Sequence, residues 1–417
     1  MVELGQPVEF KAVTEGQNLP PVDEAVLNGI EDIKRTLASN DLEQQLAVLP
    51  DALNYGQPGI DLLEQVYERE SGQLKWAACS LLDDWYLRQL TEAQHLRAVQ
   101  EGNLFFAVTC LRTIEAGGAV YSNSISSDGQ LMAAVIGKAS KFIKIWDLSS
   151  NRLVHCLERH RKYFESVVIS SKQELIVAGH AQVIIWNLSS RKNVYTLQAH
   201  RWVRCVATSL DGERVASGSS DGVCNVWDTS TGKLIHTWYS DEPDWIEAVA
   251  FTPDGTRLIT AGECSWVRVY DLLNGELIYE KQIEEFAYEV TCIAISPDGQ
   301  TLFCGGNEDN KTIAILNLTN GELIALLEGR NSDKSGNQYI YSIAISPDGR
   351  TLVSGDDNHT IEVWDLQTRR LIRILQGHSG DITSVAITPD GQRIISGSED
   401  GTIKIWGVED SAGIESG

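Results

Sequence analysis

A pattern that returns every 40 to 48 residues constrains this chain more than any other feature. Its clearest copy is VAITPDGQRIISGSEDGTIKIW, residues 385–406. Relatives of it are VAFTPDGTRLITAGECSWVRVYD (249–271), IAISPDGQTLFCGGNEDNKTIAILN (293–317) and IAISPDGRTLVSGDDNHTIEVWD (343–365). One position, at the end of each copy, is held in turn by Trp146, Trp186, Trp227, Tyr270, Leu316, Trp364 and Trp406. A unit this short cannot bury its own apolar faces, so a chain of seven must stack them against one another.

Each unit reads as strands. Alternating apolar residues run into a hairpin turn, as at Pro253-Asp254-Gly255, Pro297-Asp298-Gly299, Pro347-Asp348-Gly349 and Pro389-Asp390-Gly391. Proline fixes φ and glycine accepts a positive one, so these triplets turn the chain back. A second strand follows, then a tight turn, the tryptophan strand and a fourth strand such as RLIRILQG (370–377). Four antiparallel strands per unit make one propeller blade.

These residues resemble the WD-repeat family over about 300 positions. The matching dipeptides are Trp146-Asp147, Trp227-Asp228 and Trp364-Asp365, with Trp186-Asn187 and Trp406-Gly407 as weaker forms. The resemblance implies a mainly β fold: a seven-bladed propeller. It also implies a buried tetrad of His, Ser or Thr, Asp and Trp in each intact repeat. Two repeats carry all four residues: His200, Ser217, Asp221 and Trp227, and His378, Ser396, Asp400 and Trp406. Others depart, since Leu316 replaces the tryptophan of the fifth and the SSKQE turn of the second lacks glycine.

The last unit has no fourth strand of its own after Trp406. The stretch TCLRTIEAGGAV (109–120) supplies a candidate, because CLRTIEAG aligns with the fourth strands LIRILQGH, NVYTLQAH and LVHCLERH. It is expected to close the ring and leave no open sheet edge.

Before the propeller, residues 1–21 read as an extended tail ending in Pro20-Pro21, and 22–107 as a helical domain. Val22, Leu27, Ile30, Ile33 and Leu37 recur at three- and four-residue steps. DLEQQLAVLPDAL, GIDLLEQVYERE, QLKWAACSLLDDWYLRQL and TEAQHLRAVQEG continue the rhythm, for four or five helices in all. The stretch ALNYGQPGIDLLEQVYERESGQLKWAACSLL resembles a HEAT-like repeat of a kind that precedes bacterial WD-repeat propellers. The propeller is assigned to 108–409, with 108–117 as its closing strand, and 410–417 to a tail.

The formal net charge of −24 repels phosphate backbones and anionic lipid, so no nucleic-acid partner is expected. No apolar run is long enough to span a bilayer, and MVELGQPVEF has neither part of a signal peptide. The eight cysteines stand singly, most in apolar runs such as RCVAT around Cys205 and VTCIAIS around Cys292. Reduced core cysteines in a cytoplasmic protein are the expectation.

Catalytic signatures are missing from the sequence: GRNSDKSG is not a Walker loop, and no GxSxG, HExxH or CxxC occurs. His160, His200 and His378 sit at the same turn position, which gives them a structural reading. Asp128, Asp211, Asp254, Asp298, Asp348 and Asp390 recur in turns, so they read as turn formers rather than acid-base pairs. GGNEDN (305–310) and SGDDNH (354–359) are acidic but lie at the turn before the tryptophan strand. No catalytic residue, metal or cofactor is assigned.

One pattern stands out. The residues just before the innermost strands are Ala119, Tyr163, Trp202, Trp245, Glu289, Tyr339 and Asp381, four of them aromatic. Two places on come Tyr121, Glu165, Arg204, Glu247, Thr291, Tyr341 and Thr383. The WD-repeat fold puts both sets at one mouth of the ring. Aromatic and arginine side chains dominate interface energetics, so Tyr121, Tyr163, Trp202, Arg204, Trp245, Tyr339 and Tyr341 are the candidate partner-binding residues. The expected function is a non-enzymatic scaffold or adaptor for a protein or peptide. The alternatives are a regulatory subunit of a separate catalytic chain, or a small-ligand or enzymatic propeller. The inner strands SVAIT, CIAIS and SIAIS lack the carboxylates or imidazoles that an enzymatic channel needs.

Overall fold

The structure is a computed structural model that describes residues 24–39, 41–55, 57–69, 74, 78, 81, 108–137, 142–158, 163–240, 244–284, 286, 288–308, 312–329 and 338–408. The expected tails, and His160, fall outside these residues. The chain divides into two compact units, Met1–Tyr86 and Leu87–Gly417.

The first unit holds α1 (Glu24–Leu37), α2 (Leu42–Val48), a 3-10 turn (Leu49–Tyr55) and α3 (Gln57–Arg69). Ile30, Ile33, Leu49, Ala52, Ile60 and Leu63 form its core. The single helix expected across DLEQQLAVLPDAL is broken. Pro50 has no amide hydrogen to give to a helical ladder, and the chain tightens into the 3-10 turn there. Of the two later helical stretches, only Leu74, Ala78 and Leu81 lie among the described residues, all helical.

The second unit is mainly β: a seven-bladed propeller of four-stranded antiparallel sheets. Blades one to seven cover residues 120–158, 166–198, 203–239, 246–282, 289–328, 338–375 and 382–407. The seventh sheet takes its outermost strand from Thr109–Glu115, which pairs antiparallel with Thr402–Gly407, Cys110 opposite Trp406 and Ile114 opposite Ile403. Val108, just ahead of that strand, is buried with Val353, Ile382 and Trp406. The fifth and sixth blades share an extra pairing, Asn307 with Tyr339 and Glu308 with Gln338.

The innermost strand of each blade is an edge, with amides that its own sheet leaves free. Small hydroxyl residues of neighbouring blades cap several of them. Ser122 Oγ accepts the Val167 amide at 3.2 Å, Ser124 that of Ile169 at 3.0 Å, Ser342 that of Val385 at 3.0 Å, and Ser384 that of Asn123 at 2.9 Å. The turn aspartates behave as their recurrence implies. Asp211, for example, accepts the Ser209 hydroxyl at 2.5 Å and the Glu213 amide at 2.9 Å.

One expected tetrad forms and the other does not. In blade seven the Trp406 indole donates to Ser396 Oγ at 2.8 Å, Ser396 meets His378 Nε2 at 2.7 Å, and His378 Nδ1 meets Asp400 at 2.8 Å. A carboxylate only accepts, so Nδ1 carries the proton in the neutral ring and Nε2 accepts from Ser396. In blade three Trp227 and Ser217 are buried, but His200 is exposed and meets the Tyr239 ring edge-on at 5.7 Å. Ser217 Oγ is left buried without a partner. The cause is loop length. His378 precedes the first strand residue, Ile382, by four positions, whereas His200 precedes Val203 by three. The longer loop also has Gly380, where a Cβ would lie 2.7 Å from the Asp400 backbone nitrogen. The shorter loop, HRW, has no glycine to pass so close.

No helix among the described residues is long and apolar enough to cross a membrane. Seven cysteines are described, all free: Cys205, Cys224, Cys292 and Cys304 are buried, as expected for core residues, while Cys110, Cys156 and Cys264 are exposed.

Candidate functional site

The first two strands of six blades are not in simple register. A β-bulge interrupts the pairing at one residue near the start of each innermost strand. The bulged residues are Tyr121, Arg204, Glu247, Thr291, Tyr341 and Thr383. These are six of the seven residues in the second set read from the sequence. A bulge frees one residue from the ladder and re-aims its side chain. Here several of the freed side chains reach the neighbouring blade: Arg204 meets Glu247, Thr291 meets Ile340 and Thr383 meets Val120. Blade two differs: its strand starts at Ser166, and Glu165 holds the place with its amide bonded to Ala178 O at 2.8 Å.

The first set is placed by the same feature. Trp245 O accepts the Glu263 amide at 2.9 Å, and Gly262 beneath it has no side chain; a Cβ there would lie 1.9 Å from that carbonyl. Trp202, Trp245 and Tyr163 project outward, 55%, 46% and 46% exposed. Tyr339, Tyr341 and Tyr121 are half-buried. Glu289 and Tyr339 lie within their strands rather than just ahead of them. Tyr288, beside Glu289, is a further exposed ring that the aligned positions passed over, because it sits one residue ahead of the register.

Contacts run around the mouth from blade to blade. Arg204 Nε lies 2.7 Å from the Glu247 carboxylate, and its guanidinium stands 5.0 Å from the Trp245 ring centroid. Thr291 Oγ1 donates to Ile340 O, Tyr341 Oη to Asp381 at 3.4 Å, and Thr383 Oγ1 to Val120 O at 2.5 Å. Burial pushes the Glu165 carboxyl up, Arg204 opposes this and Glu247 adds to it. Glu289 is raised by burial and then by Glu247. Burial disfavours the Arg204 charge, but Glu247 and Glu165 outweigh it and its pKa is raised. Burial raises the Tyr121 phenol, helped by Glu399 and Glu165. The described residues of the mouth thus set three carboxylates, Glu165, Glu247 and Glu289, around the Arg204 guanidinium.

The structure therefore brings Arg204 and Trp245 together across adjacent blades, with Trp202 just ahead of the strand that carries Arg204, and stacks Tyr339 with Tyr341 in another blade. Tyr163 and Tyr121 occupy blades between these groups. The acidic turn 354–359 is closed on itself: Asp356 accepts the Asn358 amide at 2.9 Å, the Thr360 amide at 3.0 Å and the Thr360 hydroxyl at 2.7 Å. The end of GGNEDN lies outside the described residues. Among the described residues no group of three or more His, Cys, Asp or Glu is placed to hold a metal. A depression lined by Pro253, Asp254, Arg257, Pro297 and Asp298 lies at the other end of the first strands, among the hairpin turns.

Comparison with known proteins matches residues 369–407 to the family described as WD domain, G-beta repeat, and residues 154–384 to that described as NWD2 C-terminal beta-propeller. General transcriptional corepressor TUP1 of Saccharomyces cerevisiae is 43% identical over 54 residues, 13% of this chain and 8% of that protein. Small ribosomal subunit protein RACK1y of Oryza sativa subsp. japonica is 40% identical over 176 residues, 41% of this chain and 50% of that protein. Protein groucho of Drosophila melanogaster is 33% identical over 90 residues, 22% of this chain and 12% of that protein. The chain spans half or less of the length of each of these curated relatives.

Proposed function

The chain belongs to the NWD2 C-terminal beta-propeller family, and from that premise we propose that it is a non-enzymatic scaffold or adaptor that seats a protein or peptide on its aromatic rim. The observation that carries this reading is the placement of Trp202 and Trp245. They are large apolar rings, about half exposed, on adjacent blades of one mouth. Exposed indoles cost nothing to the fold and gain most when a partner covers them, since aromatic and arginine anchors hold the larger part of interface binding energy. Arg204 beneath Trp245 stiffens the ring for that purpose. Support also comes from the relatives, whose names are those of a corepressor and of a ribosomal subunit component. The helical unit, HEAT-like in its sequence, offers a second surface, and the cytoplasm is the proposed place of action.

The test is affinity capture from the native cytoplasm with full-length wild type, Trp202→Ala and Trp245→Ala, each with its melting temperature. A partner lost from both variants, at unchanged melting temperature, is the expected result. Loss of stability with the partner retained would mean that the rings are loop packing.

A further inference from the structure

The two ends of the rim differ in what stands against their rings. At blades three and four the rings carry their own cation, since Arg204 lies under Trp245 and is met by Glu247. At blades six and seven the rings carry carboxylates. Tyr339 and Tyr341 stack with centroids 5.6 Å apart and planes 7° from parallel. Tyr341 Oη reaches Asp381 Oδ2 at 3.4 Å, and Asp357 and Glu399 bear on the same phenol. Glu399 bears also on Tyr121 across the blade one joint. The described basic group there is the His359 imidazole, 3.3 Å from Asp381.

This corner is held stiff. Tyr339 is tied to Asn307 by the extra ladder between blades five and six, and its carbonyl accepts the Asp357 amide at 3.2 Å. The Glu399 amide donates to Asp381 O at 3.0 Å. Little ordering is left for a ligand to bring about, which favours affinity.

Resting on the reading of the rim as a peptide-binding face, we infer that the Tyr339–Tyr341 corner seats a cationic side chain, arginine or lysine, of the bound segment. The cation lies against the tyrosine rings with its charge toward Asp381 and Glu399, while Trp202 and Trp245 cover an apolar part of the same segment. An aromatic face attracts a cation, and a carboxylate beside it adds a charge-assisted hydrogen bond. The reverse seating is disfavoured at the tyrosine corner, where an acidic residue would meet Asp381 and Glu399, while at the tryptophan corner the Trp245 ring already has Arg204 against it. That difference sets the direction in which a segment lies across the mouth.

The experiment pans a random-peptide phage library on the full-length protein. Selected peptides are then synthesised and titrated against wild type, Asp381→Asn/Glu399→Gln and Trp202→Ala/Trp245→Ala. The expected peptides carry an arginine or lysine at a fixed distance from an apolar residue. They bind Asp381→Asn/Glu399→Gln about tenfold more weakly, a change of ~1.4 kcal/mol. Replacing the cation by glutamine causes a similar loss on wild type and no further loss on that variant. If the double variant melts below wild type, Asp381→Asn alone takes its place. Peptides that need the tryptophans but show no preference for a cation, or cationic peptides indifferent to Asp381 and Glu399, overturn the cation seat and leave the rim reading standing. Peptides indifferent to the tryptophans, or a library with no enrichment, overturn the rim reading and the seat with it.

Discussion

Arg204 and Glu247 occupy the bulges of adjacent blades, and their side chains meet at 2.7 Å across the joint between those blades. The pair does more than join two blades. Glu165 and Glu289 face the same guanidinium from the blades on either side, and both are already raised by burial. Replacing Arg204 with glutamine leaves three carboxylates facing one another without their cation. The folded pKa values of Glu165 and Glu289 then rise further above the unfolded ones. A carboxylate with a raised folded pKa costs stability as pH climbs through and above the unfolded value of 4.5. The deficit of Arg204→Gln is therefore expected to be small at pH 5 and about 1–3 kcal/mol at pH 8. Melting temperatures of both proteins at the two pH values measure this. A deficit equal at both would assign Arg204 to apolar packing under Trp245.

The two tetrads give opposite expectations for one substitution. Ser396 links Trp406 to His378, so Ser396→Ala strands a buried indole N–H and an imidazole nitrogen and is expected to cost about 1–3 kcal/mol. Ser217 is buried with no partner, so Ser217→Ala removes an unpaid desolvation and is expected to be neutral or slightly stabilising. Urea unfolding of both variants decides it. Equal losses would place His200 back inside the fold.

Much of this was legible because the repeat is local. Turn triplets, tryptophans and alternating strands stand within a few residues of one another, and they carried the blades, the closing strand and the rim positions. What escaped depends on distance or on a single residue. The bulges that aim Tyr121, Arg204 and Tyr341 leave no mark on an alternating pattern, although aligning the repeats found their positions. Arg204 meets Glu247 only because the ring brings two blades side by side. The failure of the His200 tetrad was written in the spacing, three residues to the strand against four, but residue types alone concealed it. The break at Pro50 was likewise visible, and the helical period on either side of it ran across unchanged.

Acid sensitivity should begin at His378. Burial holds its imidazole below the ordinary 6.5 despite the carboxylate beside it. A base with a depressed folded pKa is bound by more protons in the unfolded chain, so stability falls as pH drops below 6.5 and levels off once the folded value is passed. Asp400 acts lower. Burial alone would raise it, but the Ser379 amide, Thr402 and His378 outweigh that and hold it at about 2. Its share is present above the unfolded value of 3.8 and is lost toward pH 2. In His378→Gln the slope of melting temperature between pH 6.5 and 5 is expected to flatten relative to wild type. An unchanged slope would assign that window to other groups.

Ring closure supplies the last test, and the structure relocates its sensitive point. Leu111 and Ile114 of the closing strand are only half-buried, and Leu111 falls at an irregularity in the pairing with the last blade. Val108, just outside the strand, is fully buried against Trp406 and the blade six strands. A carboxylate at Val108 has nowhere to meet water, so Val108→Asp is expected to cost about 3 kcal/mol or more. Ile114→Asp can turn its charge outward and is expected to cost about 1–2 kcal/mol. Because the closing strand completes the seventh sheet, either loss is expected to lower the single melting transition of the propeller rather than add a separate early one. Calorimetry of the two variants reads both points. A larger loss at Ile114 than at Val108, or an early transition with the main one unmoved, would show that the ring does not depend on this strand.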